Sequence, residues 1–294
     1  MSETKASTIA ETLRGKLESL TPSERKPAQW LLANYPMAGL ETVSNFASQS
    51  GVSAPTVLRL IAKIGFDSYP DFQSALRNEV KARLASPLSR GQGTGSAQVF
   101  EAPQQPSTPD SLSKHALAAA RNIQALLDGI ARADFDSTVE LLGDSERNIY
   151  LMGGRITDPI ARYCYRHLRL IREDVFRLDN HSSTWPENLA DMKKGDVTVV
   201  FDVRRYQKDM ELFAEQAAAK GGIIILITDQ WLSPVSRVAR HIFPLHIDVQ
   251  ARWDSHAATL VLTEALVGAL LDRHWDRIKD RIGLLEQYRA QISL

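Results

Sequence analysis

Apolar positions change their spacing once along the chain. Up to about residue 85 they recur every three to four residues: Trp30, Leu31 and Tyr35, then Val43, Phe46 and Ala47, then Val57, Leu60, Ile61 and Ile64. That is the period of short amphipathic helices packed on one another. From about residue 112 short apolar runs alternate with helical stretches. The runs at Asn148–Met152, Val175–Leu178, Val197–Val203, Ile223–Thr228 and His241–Ile247 are mostly β-branched and bounded by Gly, Asp or Lys. Such runs predict strands buried on both faces of a parallel sheet. Residues 160–170 and 208–220 carry helical patterns between them, and strand–helix–strand alternation predicts a doubly wound sheet. Ser86–Ser111, rich in Gly, Pro, Ser and Gln with few large apolar anchors, cannot offset the entropy of ordering and reads as a linker. The expected organisation is an all-α domain over 1–85, a flexible linker over 86–111 and an α/β domain over 112–294.

Composition narrows the class. A chain of 294 residues with 44% hydrophobic content is long enough for two domains and too apolar for wholesale disorder. A single cysteine, Cys164, excludes an intramolecular disulfide and a multi-cysteine zinc site. The 35 basic and 35 acidic side chains cancel, which leaves room for a basic domain offset by an acidic one. The opening MSETKASTIAETLRGKL lacks the apolar core of a secretory signal. No run approaches the ~18 apolar residues of a membrane helix. The expectation is a cytoplasmic, reduced protein with no membrane partner. The seven histidines show no HxxxH or HxH spacing, so no metal is expected, and no organic cofactor is expected either.

Thr42–Ile64, TVSNFASQSGVSAPTVLRLIAKI, carries the requirements of a helix-turn-helix. Ala47 is the small residue where the second helix packs close, and Gly51 can take positive φ at the turn. Val52, Val57 and Leu60 supply an inner apolar face. Ser53 stands where an N-cap belongs, and Pro55 is tolerated in a first helical turn. The second helix would enter the major groove of duplex DNA. Its outward positions are expected to be Ser53, Ala54, Thr56, Arg59 and Lys63, with Thr56 and Arg59 towards bases and Lys63 towards phosphate. The alternative is a plain three-helix bundle with Arg59 and Lys63 solvated. With Arg25, Lys26, Arg77, Lys81 and Arg83 the segment is only modestly positive, which implies binding as a dimer.

The flanks of this motif are distinctive. LTPSERKPAQWLLANYP before it and IGFDSYPDFQSAL after it, with Gly65-Phe66 followed by Tyr69-Pro70-Asp71-Phe72, resemble the N-terminal domain of the RpiR family of bacterial transcriptional regulators over about residues 20–83. The resemblance implies that the second domain is a sugar isomerase (SIS) domain, a nucleotide-free α/β fold that binds phosphosugars and dimerises.

Ligands of open α/β sheets bind outside the carboxyl ends of the strands, so three loops are candidates. The first, Gly153-Gly154-Arg155-Ile156-Thr157, offers two glycines for close approach, a helix N-terminus for an anion, a guanidinium and a hydroxyl. The alternative is a turn that uses glycine for geometry alone. It lacks the third glycine of a dinucleotide fingerprint, and it resembles the SIS loop Gly-x-Gly-Ser with its serine end replaced. The second loop, His181, Ser182 and Ser183, is either a polar wall for a sugar or phosphate or a cap on the next helix. The third departs most from the resemblance. In place of the Ser-x-Ser-Gly-x-Thr phosphate loop stands Phe201-Asp202-Val203-Arg204-Arg205-Tyr206-Gln207-Lys208-Asp209. Arg204 and Arg205 either hold a carboxylate or phosphate through bidentate bonds or pair with Asp202, Asp209 or an acidic partner surface and bind nothing.

The leading expectation is a DNA-binding regulator, a homodimer or homotetramer on operator DNA, that senses a small anionic metabolite such as a sugar phosphate or sugar acid. The alternative uses the SIS-like domain only for oligomerisation. An isomerase ranks last. Its candidate base, Glu264, reads as a paired or solvated carboxylate, and Cys164 reads as a buried hydrophobe. No catalytic residue is assigned.

Overall fold

The computed structural model describes residues 8–84, 110–179, 181–249, 251 and 253–292. They form two compact units. The expected linker lies outside the described residues except for Asp110, an N-cap whose carboxylate accepts from the Ser113 N–H at 2.7 Å, and Ser111, the first residue of a helix.

Among the described residues the first unit holds six helices: α1 (Ile9–Lys16), α2 (Pro22–Ala33), α3 (Met37–Leu40), α4 (Val43–Gln49), α5 (Ala54–Lys63) and α6 (Tyr69–Leu84). The helix-turn-helix is α4–α5. Thr42 caps α4 by accepting from the Asn45 N–H, and Gly51 takes φ +66° between the helices. That left-handed residue lets the Val52 N–H close on the Ala47 carbonyl at 3.0 Å, the bond that stops α4 and turns the chain. Pro55 sits in the first turn of α5, where it sacrifices no intrahelical donor. Phe46, Ala47, Val57, Leu60 and Ile61 then share one core with Leu13, Leu31, Phe72 and Leu76. The three-to-four spacing read from the sequence is the inner stripe of these helices.

The second unit is a five-stranded sheet of order β2-β1-β3-β4-β5, every pair parallel. The strands are β1 (Ile149–Gly153), β2 (Val175–Arg177), β3 (Val197–Asp202), β4 (Ile223–Asp229) and β5 (His241–Leu245). Among the described residues six helices cover it: α7 (Ser111–Gly129), α8 (Arg132–Gly143), α9 (Asp158–Ile171), α10 (Trp185–Asp191), α11 (Lys208–Ala219) and α12 (Ala257–Gln291). Alternate strand residues feed two cores. Leu151, Val199, Phe201, Ile225 and Ile227 pack with Ala161, Leu168, Leu262 and Leu266, while Tyr150, Met152, Val200 and Leu226 pack with Trp185, Met210 and Phe213. Each such aliphatic side chain contributes about 1.5–3 kcal/mol on burial, which is why the continuous apolar runs of the sequence become two-faced strands. The C-terminal helical stretch is interrupted at His274, whose backbone leaves helical geometry.

The order matters for function. The chain runs to one side from β1 to β2 and to the other from β3 onwards, so the switch point lies between β1 and β3. At such a point two loops diverge and leave a crevice at the carboxyl edge.

Candidate nucleic-acid interface and ligand loops

Helix α5 carries the candidate DNA-reading face. Ser53 is exposed at its N-cap, and its hydroxyl lies 3.0 Å from that of Thr56 rather than on a backbone N–H. Arg59 is exposed, and its Nη2 donates to the Thr56 hydroxyl at 3.1 Å. Ala54 is half-buried. One expectation is corrected. Thr56 is only 5% exposed; it sits one residue before the buried Val57 and serves Ser53 and Arg59 instead of facing outward. Lys63, expected towards phosphate, is exposed and forms an ion pair of 2.7 Å with Glu24 on α2. Lys63 and Thr21 hold the Glu24 carboxyl down to about 2. Glu24 is also the reciprocal partner in the capping box of α2, accepting from the Thr21 N–H at 3.0 Å.

One outward residue escaped the sequence reading. Leu58 is 45% exposed on α5, next to Arg59 and one turn before Ala62, which is also exposed. A large aliphatic side chain on the outer face of this helix has no core to fill. The residue type was visible in the sequence, but a Leu is ordinarily assigned to the inner stripe.

In the sheet unit, the β1 and β3 loops meet at the switch point, and most of their polar groups are engaged with each other. The Gly154 N–H donates to the Phe201 carbonyl at 3.1 Å and to the Thr157 hydroxyl at 2.9 Å. Thr157 is buried and donates its own proton to the Phe201 carbonyl at 2.5 Å. The Arg155 N–H donates to Gln207 Oε1 at 2.8 Å. Gly153 is required for packing, since a Cβ there would lie 2.6 Å from Asp158 Cα. Gly153, Gly154 and Thr157 therefore take part in building the turn. The Arg155 side chain remains exposed.

The replaced third loop keeps a backbone that favours glycine. Arg204 and Arg205 take φ +46° and +33°, a left-handed pair that costs roughly 1–2 kcal/mol per residue. Two carboxylates hold it. Asp229, fully buried at the end of β4, accepts from the Arg204 N–H and from the Tyr206 hydroxyl, each at 2.6 Å. Asp254 takes the Arg204 guanidinium, with Nε at 2.9 Å and Nη2 at 3.2 Å from its two oxygens. Asp202, which is buried, accepts from the Ser233 hydroxyl. Arg204 thus turns inward onto Asp254, in the segment before α12, an acid other than the expected Asp202 or Asp209. Arg205 is exposed. Neither Asp254 nor Gln207 was singled out beforehand, because pairing across 50 residues leaves no local signal.

The β2 loop stands apart from that meeting point. His181, Ser182, Ser183 and Thr184 are all exposed, and residues 182–184 form a short 3-10 turn entering α10. Thr184 folds back onto the His181 carbonyl at 3.0 Å, leaving the His181, Ser182 and Ser183 side chains outward.

The residues considered for catalysis are placed unfavourably for it. Glu264 is exposed and accepts from the Tyr163 hydroxyl at 3.0 Å. Burial pushes the Cys164 thiol up to about 12. Among the described residues no group of three His, Cys, Asp or Glu side chains could hold a metal ion, and no described helix is long and apolar enough to cross a membrane.

Comparison with known proteins agrees with both units. Residues 7–83 match the family model described as helix-turn-helix domain, rpiR family, and residues 144–269 match the SIS domain. The HTH-type transcriptional regulator HexR of Escherichia coli K12 is 23% identical over 282 residues, covering 93% of this chain and 91% of the relative. The HexR of Pseudomonas aeruginosa is 28% identical over 149 residues, covering 49% of this chain and 47% of the relative. Among solved structures, the sugar isomerase domain of an RpiR transcription factor from Sphaerobacter thermophilus shares the fold with TM-score 0.57 and 18% identity, over 61% of this chain and 99% of that one. The Vibrio vulnificus NanR protein complexed with ManNAc-6P aligns over 97% of this chain and 99% of its own, with TM-score 0.55 and 18% identity. With an rpiR-type helix-turn-helix followed by a SIS domain, the chain belongs to the RpiR family of transcriptional regulators.

Proposed function

We propose that this regulator binds operator DNA as a cytoplasmic homodimer or homotetramer through α5 and that its SIS domain senses a small anionic metabolite, a sugar phosphate or sugar acid. Ser53, Leu58 and Arg59 form the reading face, with Ala54 at its edge. Arg59 suits guanine through two hydrogen bonds, and Leu58 suits a thymine methyl. Lys63 acts on DNA mainly by its remaining exposed charge. A symmetric dimer would place two such helices on a palindrome, half-sites a helical turn or a multiple apart. The observation that carries the sensing function is the carboxyl edge of the sheet, where Arg155 and Arg205 keep exposed side chains beside the switch point and His181, Ser182 and Ser183 keep theirs exposed on the β2 loop. The relative complexed with ManNAc-6P supports an anionic, hydroxylated ligand class.

A second reading, a SIS domain used only for oligomerisation, is favoured by the engagement of Gly154, Thr157 and Arg204 within the protein. The two separate in one experiment. The full chain is titrated onto a duplex selected by the protein from a random pool, with fluorescence anisotropy read in the presence of sugar phosphates and sugar acids, and melting is followed alongside. The sensing function predicts that at least one compound raises the melting temperature and changes duplex affinity, because an effector shifts an equilibrium only through differential binding. Tight, specific duplex binding that no compound alters identifies the scaffold instead.

A further inference from the structure

Helix α9 carries arginines in the series Arg162, Arg166 and Arg169, and edge strand β2 ends on Arg177. Arg162, Arg166, Arg177, Tyr165 and Asp179 line a polar cleft of about 330 Å3. It lies beside the carboxyl end of β2, directly before the loop of His181, Ser182 and Ser183. Three guanidiniums face two carboxylates there, and the carboxylates are unequally placed. Asp158 is buried at the start of α9; it fixes Arg177 at 2.8 Å and lies 3.7 Å from Arg162. Asp179 takes the other nitrogen of Arg177 at 2.6 Å but is 65% exposed. Arg166 is exposed and has no ion pair with any described residue.

This arrangement is costly as a bare surface. Like charges at i and i+4, as in Arg162 and Arg166, repel on a helix, and here a third guanidinium closes the same cleft. Arg177 is largely covered, with 17% of its side chain exposed, and its plane is set by Asp158. A preoriented guanidinium flanked by two exposed ones and a phenol is the donor set that receives a tetrahedral or planar oxyanion. The volume is at the lower end of the roughly 300–1,000 Å3 of small-molecule sites, which suits a compact head group rather than a polymer backbone.

We propose that this cleft is the head-group subsite for a small oxyanion, a phosphate or carboxylate carried by the metabolite, and that Asp179 occupies one nitrogen of Arg177 until the ligand arrives. The proposal rests on the sensing function above and moves its charged contact from the β1 and β3 loops to α9 and β2. Asp179 opposes the incoming anion both by its charge and by competing for Arg177.

The test uses the full chain with inorganic phosphate and with citrate, at constant ionic strength set with chloride, followed by calorimetric titration and melting. Arg166→Gln and Arg162→Gln alter exposed side chains and leave the core untouched; each is expected to weaken the better-bound of the two anions about tenfold or more, from the loss of a charge-assisted hydrogen bond. Asp179→Asn is expected to move the same affinity in the opposite direction, a tightening that a merely structural role would not give. If the wild type binds an anion and the α9 variants bind it equally well, the cleft is refuted while sensing stands. If neither anion binds the wild type, the subsite is refuted; a sugar phosphate or sugar acid that still raises the melting temperature and changes duplex affinity would then keep the sensing function without it.

Discussion

Replacing Arg204 by Ala removes a guanidinium whose two nitrogens lie 2.9 and 3.2 Å from the oxygens of Asp254. The two side chains are 10% and 19% exposed. Removing one partner of a buried pair costs about 3–5 kcal/mol because it strands the other charge; the residual solvent contact of Asp254 puts this case near ~3 kcal/mol. For a unit of this size each 1 kcal/mol moves the melting temperature by about 2–4 °C, so the expected fall is roughly 6–12 °C. The backbone is not the cause, since Ala keeps the N–H given to Asp229 and meets the same strain at positive φ. Arg204→Gly isolates that strain and should recover about 1 kcal/mol relative to Ala. Asp254→Asn removes the charge from the other side, and in the double variant the second change should cost little, giving a coupling of about 1–3 kcal/mol. Scanning calorimetry on the full chain resolves the sheet unit from the helical one. A shift under about 2 °C for Arg204→Ala, with strictly additive single variants, would mean that Arg204 is a free solvent-facing side chain and that the replaced loop is an open anion site.

Three further outcomes follow from the helical unit. Leu58→Ala should lose affinity only for duplexes with thymine at the contacted position, so exchanging thymine for uracil in the selected operator weakens the wild type and leaves the variant unaffected; equal loss in both would remove Leu58 from the reading face. Arg59→Ala should lower the slope of log affinity against log salt by about 0.9 if it neutralises one phosphate, or relax base preference if it reads guanine, whereas Lys63→Ala, already tied to Glu24, should change the slope less; the reverse order would show that DNA draws Lys63 off Glu24. The Glu24 carboxyl is held at about 2 against roughly 4.3 unfolded, so its contribution to stability is complete above the unfolded value and is lost as pH falls from about 4.3 towards 2. Lys63→Ala removes the largest cause of that depression and should flatten the acid side of the melting profile; a profile unchanged by the variant would deny the pair any role in the fold.

The fold was legible because its strongest signals are local. The turn at Gly51, the cap at Thr42 and the inner stripe of Val57, Leu60 and Ile61 follow from spacing alone. The five strands fall within a few residues of the apolar runs, since side chains buried on both faces leave a continuous signature. The site was harder to read because its determinants are distant pairs. Nothing near Lys63 announces Glu24, and nothing near Arg204 announces Asp254. Thr56 was misplaced by a different mechanism. Its position follows Pro55 at the first turn of α5, where the helical stripe has only begun, and its hydroxyl finds Ser53 and Arg59 instead of solvent. The replaced third loop illustrates the limit of reading by residue type: without glycine a change of path is the natural expectation, yet two arginines hold the left-handed turn because Asp229 and Asp254 stabilise it.

That internal anchoring constrains how any anion can use the carboxyl edge. A ligand that enters at Arg204 must displace Asp254, and the same cost of stranding that charge, ~3 kcal/mol, would then lower its apparent affinity by about a hundredfold relative to an open loop. A phosphate loop of small hydroxyls carries no such charge to remove, so the exchange of residues changes the energetics of entry as well as the shape of the site. Two routes remain favourable. One places the charged group on guanidiniums that the protein leaves unpaired or only partly neutralised, which on the described surface include Arg155, Arg205 and the cleft of Arg162, Arg166 and Arg177. The other accepts the displacement and couples binding to release of the segment that carries Asp254 into α12, in which case the energy needed to free Asp254 becomes the differential binding that regulation requires. The first route gives affinity without a built-in conformational consequence; the second exchanges affinity for coupling.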